Sequence, residues 1–259
     1  MSKDGGRFVW YDLMTTDPDA AQSFYTKLIG WGTQAWDGGP MPYTMWTNND
    51  TPLGGVMTLP DEAKQAGAPP HWLAYIHTSD VDATVAKAEE NQGKVLVPAQ
   101  DIPKVGRFAV LADPQGAAFA VYTPAEETPG NPGPPAIGEY SWHELNTTDH
   151  ENAWGFYETL FGWKKGDAMD MGEMGTYQMY SAAGGDIPLG GMFNKPKEMP
   201  GPPFWLYYVR VDDVHKSVEK VKELGGQVLN GPMEVPDGDH VAQCMDPQGA
   251  AFALHSTKK

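Results

Sequence analysis

One cysteine, three arginines and no long apolar run mark this 259-residue chain, and each shortage removes a class of protein. A lone thiol, Cys244, closes no disulfide within the chain, and its expected role is that of a packed thiol. Lysine and arginine total 18 against 34 acidic residues, a net charge of −16. With Arg7, Arg107 and Arg210 as the only guanidinium groups, the phosphate-neutralising attraction of nucleic-acid and anionic-membrane binding is missing, so neither partner is expected. No apolar stretch approaches the roughly 18 residues of a membrane span, and no cationic segment followed by an apolar run opens the sequence. The expected location is the cytoplasm; export by an unconventional route would leave no trace in these features. A G-x-S-x-G elbow, a zinc-type cysteine pair and an H-E-x-x-H helix are also absent, which removes the commonest hydrolase and zinc signatures.

What the chain has in quantity is repetition. The octapeptide DPQGAAFA stands at residues 113–120 and again at 246–253, 133 positions apart. Asp, Pro and Gly at the first, second and fourth positions are the preferences of a type I turn, and the alanines that follow suit a tightly packed strand. Between residues 123 and 138 lie five prolines and three glycines with almost no large apolar side chain, a composition that reads as a stiff, exposed connector. The expected domains are therefore 1–124 and 139–259, joined by a linker over 125–138.

Each half shows the same order of elements. FVWYDLM at 8–14 has strand length; Asp17 then caps a helix opening on Pro18 and ending at Gly30, with Ala20, Phe24 and Leu28 on its apolar face. The second half repeats this with Asp149 as cap, Phe156 and Leu160 on the face and Gly162 as stop. Short runs punctuated by glycine follow, and the pairs Gly54-Gly55 and Gly190-Gly191 read as bulges or close backbone crossings. A second round begins at HWLAYIH and FWLYYVR. Asp80 and Asp213 cap its helices, and Val81, Val85 and Ala88, or Val214, Val218 and Val221, form the buried stripe. Four strand, helix, three-strand modules result, two per half.

This arrangement, with D-x-x-x-A-x-x-F-Y-x-x-L-x-G-W over 17–31 and DPQG, resembles the vicinal oxygen chelate superfamily, that of glyoxalases, bleomycin-resistance proteins and ring-cleaving dioxygenases. WYDLMTTD and WHEL are similar to the two-domain glyoxalase-like proteins, a mycobacterial antigen among them. The resemblance implies an α+β fold of tandem glyoxalase-like domains, each of two βαβββ modules forming a cupped, barrel-like sheet around a small-molecule or metal cavity. It also implies intrachain pairing of the two domains, in a monomer or a homodimer.

The family's metal ligands map onto Trp10, Met45, Leu73 and Ala120 in the first half and Trp142, Met179, Leu206 and Ala253 in the second. None is a histidine or a carboxylate. Two residues away on the same strand faces lie Asp12, His71 and Tyr122, and Glu144, Phe204 and His255, neither set being a usual three-ligand cluster. No cofactor is therefore expected, with a divalent metal kept as the exception. The inferred cavities are aromatic, lined by Trp10, Tyr43 and Tyr75 and by Trp142, Tyr177 and Tyr208.

Asp12 and Glu144, carboxylates on apolar strands, are the candidate catalytic groups, and burial would suit either to proton transfer. His71, Arg107, His240 and His255 complete the candidate ligand-binding set, with Arg107 or its counterpart His240 as an oxyanion partner. The methionines at 169, 171, 174 and 179 suggest a flap over the second cavity. The leading reading is a metal-independent small-molecule-binding protein. A glyoxalase-like lyase or isomerase acting on a small carbonyl compound or thiol adduct, and a divalent-metal dioxygenase, are the alternatives.

Overall fold

The computed structural model describes residues 5–39, 41–126, 133–199 and 201–258. Its first half runs β1 (Phe8–Thr15), α1 (Pro18–Ile29), β2 (Gly32–Trp36), β3 (Tyr43–Asn48), β4 (Thr51–Thr58), the short α2 (Asp61–Gln65), β5 (His71–His77), α3 (Val81–Glu90), β6 (Lys94–Ile102), β7 (Gly106–Ala112) and β8 (Ala118–Pro124). The second runs β9 (Tyr140–Thr147), α4 (His150–Phe161), β10 (Lys164–Asp170), β11 (Thr176–Ser181), β12 (Pro188–Asn194), β13 (Phe204–Arg210), α5 (Val214–Glu223), β14 (Gln227–Glu234), β15 (His240–Met245) and β16 (Ala251–Ser256). The fold is α+β, and four βαβββ modules are present as expected. Each half contributes one eight-stranded, curled sheet, ordered β2-β3-β4-β1-β5-β8-β7-β6 and β10-β11-β12-β9-β13-β16-β15-β14.

Packing groups the modules differently from the sheets. One compact unit comprises Met1–Val9, Ala74–Gly133 and Trp142–Trp205, and the other Trp10–Leu73, Pro134–Ser141 and Leu206–Lys259. Each unit thus draws one module from either half of the sequence. Of the connector, 127–132 lie outside the described residues. Its far end is anchored in the second unit, where Trp31 Nε1 donates to the Gly138 carbonyl at 2.7 Å and Asn48 Nδ2 to that of Ile137 at 2.9 Å.

The helices begin where the sequence places them. Asp17, Asp80, Asp149 and Asp213 each accept a hydrogen bond from the amide three residues on, at 3.0, 2.9, 3.1 and 3.3 Å. Gly30 and Gly162 end α1 and α4 in the left-handed conformation that their lack of a Cβ permits. The buried faces differ from the expected ones by a small rotation. In α1 the buried residues are Ala21, Phe24, Tyr25 and Leu28, so Ala21 and Tyr25 replace Ala20. In α4 Phe161 replaces Leu160, and in α3 Thr84 replaces Val85.

The rotation of α1 and α4 has a polar cause. Tyr25 carries its hydroxyl into the core, where it donates to Asp246 Oδ2 at 3.1 Å and accepts from Trp72 Nε1 at 3.1 Å. Tyr157 does the same with Asp113 Oδ2 at 3.1 Å and Trp205 Nε1 at 3.0 Å. The other oxygen of Asp113 accepts from the amides of Gln115, Gly116 and Ala117 at 3.0, 2.8 and 2.9 Å, and Asp246 Oδ1 accepts from those of Gln248 and Ala250 at 3.0 and 2.9 Å. The repeated DPQG is therefore more than a turn. Its aspartate ties the turn amides to a tyrosine supplied by the opposite half of the sequence. Burial raises both aspartate carboxyls above their ordinary range in spite of these donors. Ala117, Ala120, Ala250 and Ala253 are fully buried, whereas Ala118 and Ala251, which open the strands, are half-buried.

The glycine pairs are close crossings. A Cβ on Gly54 would stand 2.0 Å from the Tyr11 carbonyl oxygen, and one on Gly190 would stand 1.9 Å from that of His143. Only glycine lets β4 and β12 run parallel to β1 and β9 at these points.

Candidate functional site

On β1, side chains alternate between faces, so Trp10 and Asp12 share one. Tyr43, at the start of β3, reaches the same face across β4. Its hydroxyl donates to Asp12 Oδ1 at 2.6 Å, and Trp10 Nε1 lies 2.7 Å from the Tyr43 hydroxyl oxygen and 3.0 Å from Asp12 Oδ1. Asp12 is buried at 4% exposure, while Trp10 and Tyr43 are half-buried. Beneath the phenol lies Gly55, the register partner of Asp12; a Cβ there would meet Tyr43 Cζ at 2.1 Å. Burial, then the charge of Asp12, pushes the Tyr43 hydroxyl far above its ordinary pKa, so it stays a donor at any working pH.

The second half builds the same object from β9, β11 and β12 in the other unit. Trp142 Nε1 donates to the Tyr177 hydroxyl at 2.7 Å, and that hydroxyl donates to Glu144 Oε2 at 3.1 Å. Gly191 pairs with Glu144 and gives room to the Tyr177 ring, which a Cβ would approach to 2.0 Å. Two details differ. The acid is one methylene longer, and Asn146 Nδ2 approaches Glu144 Oε1 at 3.5 Å, where the first half has Met14. Asn146 was not singled out by the sequence, although its place two residues beyond Glu144 puts it on the same strand face.

The remaining candidates have other partners. His71 Nδ1 lies 2.7 Å from the Pro69 carbonyl, and burial lowers its pKa so that the ring stays neutral. Tyr75 packs edge-on to Tyr122 at 6.4 Å, and the Tyr208 hydroxyl accepts from Gln243 Nε2 at 3.2 Å. His255 bridges Ser141 Oγ and Asp239 Oδ2, each at 2.9 Å. His240 packs against His215. Arg107 is partly exposed and held by two carboxylates, with Nε and Nη2 on Asp82 at 2.8 Å and Nη1 on Asp101 at 3.0 Å. The thiol of Cys244 is pushed up to about 12 by burial, the behaviour of a packed cysteine. Met171 and Met174 sit on the turn between β10 and β11, closed by a hydrogen bond from the Met171 amide to the Gly175 carbonyl at 2.8 Å. A hollow of about 250 Å³ in the second unit, lined by Leu28, Ile137, Val211 and Lys216 among others, includes none of the triad residues.

His143 lies between Trp142 and Glu144 on the opposite strand face. It stacks on Phe8 at 3.9 Å with rings 7° from parallel, and its Nδ1 is 2.7 Å from the Leu189 carbonyl. Burial lowers its pKa to about 4. Because the unfolded imidazole takes a proton near its ordinary 6.5 and the folded one does not, this contribution to stability is complete above about pH 6.5 and is lost as pH falls towards 4. The loss is on the order of 3 kcal/mol. Urea midpoints at pH 7 and pH 4.5 measure it: His143→Phe is expected to flatten the slope. An unchanged slope would place its origin elsewhere.

At the positions where the family's metal ligands align, the side chains do not fit a hard divalent ion. Leu73, Ala120, Leu206 and Ala253 are buried hydrocarbon, Trp10 and Trp142 point N–H donors at acceptors, and Met45 and Met179 offer at most a thioether. Among the described residues no group of three histidine, cysteine or carboxylate side chains is placed to hold a metal.

The family model described as glyoxalase/bleomycin resistance protein/dioxygenase superfamily matches residues 7–121 and 139–254. CFP32 of Mycobacterium bovis, whose name includes the word glyoxylase, is 37% identical over 251 residues, covering 95% of this chain and 92% of that one. The anthracycline biosynthesis protein DauV of Streptomyces sp. (strain C5) is 32% identical over 264 residues, covering 96% and 92%. Among solved structures, the 2,3-dioxygenase LapB from Pseudomonas sp. KL28 superposes with a TM-score of 0.69 at 12% identity, covering all of this chain and 94% of that one. The Mn(II)-bound glyoxalase from Novosphingobium aromaticivorans gives 0.62 at 17%, covering 98% and 82%. At such identities these two structures speak for the fold alone. The chain belongs to the glyoxalase/bleomycin resistance protein/dioxygenase superfamily and carries two copies of its domain in tandem.

Proposed function

We propose that the protein binds a small aromatic molecule without a metal at the family's ligand positions, and that the Trp10, Asp12, Tyr43 and Trp142, Glu144, Tyr177 triads anchor it. The observation that carries this reading is the same constellation built twice, an indole N–H, a phenol O–H and a carboxylate locked together on one sheet face. A polar network in an apolar wall is costly unless every member is satisfied, and these are held by one another. Aromatic faces held in place by such a network match a flat ligand. The name of the anthracycline biosynthesis relative points to the same chemistry.

The test is calorimetric titration of tag-free protein with 1,4-dihydroxyanthraquinone in excess EDTA. Saturable binding is expected, weakened about 10- to 100-fold at one site by Asp12→Asn and at the other by Glu144→Gln, the loss appropriate to a hydrogen bond with a charged group. Binding that disappears in EDTA and returns with Mn²⁺ would overturn the metal-free reading. Retention of full affinity in both variants would overturn the role of the triads.

A further inference from the structure

The two halves of the sequence use one three-residue junction for different chemistry. In the first half Arg107, on β7, is gripped by Asp82 from the first turn of α3 and by Asp101, its register partner on β6. The positions 133 residues later are His240 on β15, His215 in the first turn of α5 and Glu234 on β14, the register partner of His240. What was a cation between two carboxylates has become two imidazoles and one carboxylate. All three belong to the same compact unit.

The geometry of the imidazole pair is informative. The rings of His215 and His240 have centroids 5.0 Å apart and planes 62° from parallel. A metal-bound imidazole has its nitrogen about 2.0–2.1 Å from the ion, which places the ring centre about 3.2 Å away; two such rings at a tetrahedral angle have centres about 5 Å apart. The observed separation is one that two ligands sharing an ion adopt, and equally that of an edge-on aromatic pair. His215 is exposed and His240 half-buried, so an ion can enter from solvent.

We infer that His215, His240 and Glu234 form a surface site for a borderline divalent cation of the Zn²⁺ class, with water completing the tetrahedron. Three such side chains do not already stand at coordinating distance among the described residues. Glu234 is exposed and rotates in from directly across the strand pair, the position from which Asp101 reaches Arg107 at 3.0 Å. The positive end of the α5 dipole opposes a cation weakly, while the net charge of −16 favours one and two imidazole bonds dominate both effects. This site is separate from the triads and from the positions where family metal ligands align. Bound metal would fasten the start of α5 to the hairpin of β14 and β15.

The first half supplies the control that keeps the fold. The triple variant His215→Asp, Glu234→Asp, His240→Arg rebuilds the ion pair that the homologous junction already accommodates. Tag-free wild type is titrated with Zn²⁺ against a chromophoric chelator, and thermal unfolding is followed with and without Zn²⁺. The expected result is a site with Kd on the order of micromolar, a Tm that rises with Zn²⁺, and loss of both in the triple variant. His215→Ala and His240→Ala are each expected to weaken binding by at least about tenfold, and Glu234→Gln by less. Absence of Zn²⁺ uptake by wild type below about 100 μM, or the same uptake by the triple variant, overturns the inference.

Discussion

Asp113→Ala is expected to destabilise its compact unit by about 3–5 kcal/mol, a large part of the stability of an ordinary domain. The substitution removes the acceptor for the amides of Gln115, Gly116 and Ala117 and for the hydroxyl of Tyr157 at one stroke. Each orphaned buried donor costs about 1–3 kcal/mol, less where water can enter the turn. Tyr157→Phe deletes one of those bonds and leaves Trp205 Nε1 without its acceptor, so a loss of about 1–3 kcal/mol is expected. The double variant should lose less than the sum, because the two groups share a bond. Chemical denaturation gives the magnitudes, and hydrogen exchange gives the location. Protection should fall over 74–124 and 142–199 and remain over 10–39 and 41–73, even though 10–73 and Asp113 belong to the same half of the sequence. Loss confined to the first half would contradict this grouping. Asp246→Ala, with Tyr25 and Trp72 in the corresponding roles, should produce the reciprocal pattern.

That pairing shows what a single sequence conceals. The turn chemistry of DPQG, the four aspartate caps and the glycine stops were legible because each depends on contacts within a few residues. The helix faces were legible only approximately. Spacing alone put Ala20 and Leu160 inward, and what turned α1 and α4 was a hydroxyl seeking Asp246 or Asp113 more than 40 residues away in either direction. The grouping of modules into compact units leaves no local mark, because it rests on contacts between residues far apart in the sequence. In the candidate site, Trp10, Asp12 and Tyr43 could be named from strand alternation and the resemblance to a family. That the three lock together depends on the space over Gly55, and the sequence marks this only as a doubled glycine. Arg107 and His240 were legible as a pair of counterparts. Their different surroundings became visible only when Asp82, Asp101, His215 and Glu234 were placed around them.

The doubled glycine also separates the requirements of the fold from those of the site. Neither Gly54 nor Gly55 has a positive φ, so space and not backbone conformation decides what each tolerates. A methyl group added at Gly54 would stand 2.0 Å from the Tyr11 carbonyl oxygen, and backbone cannot step aside without parting β1 from β4. Gly54→Ala is expected to cost more than about 3 kcal/mol and to yield little folded protein. At Gly55 the obstacle is the far end of a side chain, Tyr43 Cζ and the hydroxyl oxygen at 2.1 Å. A tyrosine can swing away. Gly55→Ala should therefore fold, at a cost of about 1–3 kcal/mol for overpacking, with the bonds from Tyr43 to Asp12 and from Trp10 to Tyr43 broken. Affinity for the anthraquinone probe at that site should fall by about tenfold or more, since a hydrogen bond to a charged group is worth about 1.5–3 kcal/mol. The other site should be unaffected until Gly191→Ala displaces Tyr177 in the same way. Calorimetry and the Trp10 indole N–H resonance report the two halves of this expectation. A Gly55→Ala protein whose indole resonance shifts while its affinity stays at the wild-type value would show that the triad is scaffolding and that the ligand is held elsewhere.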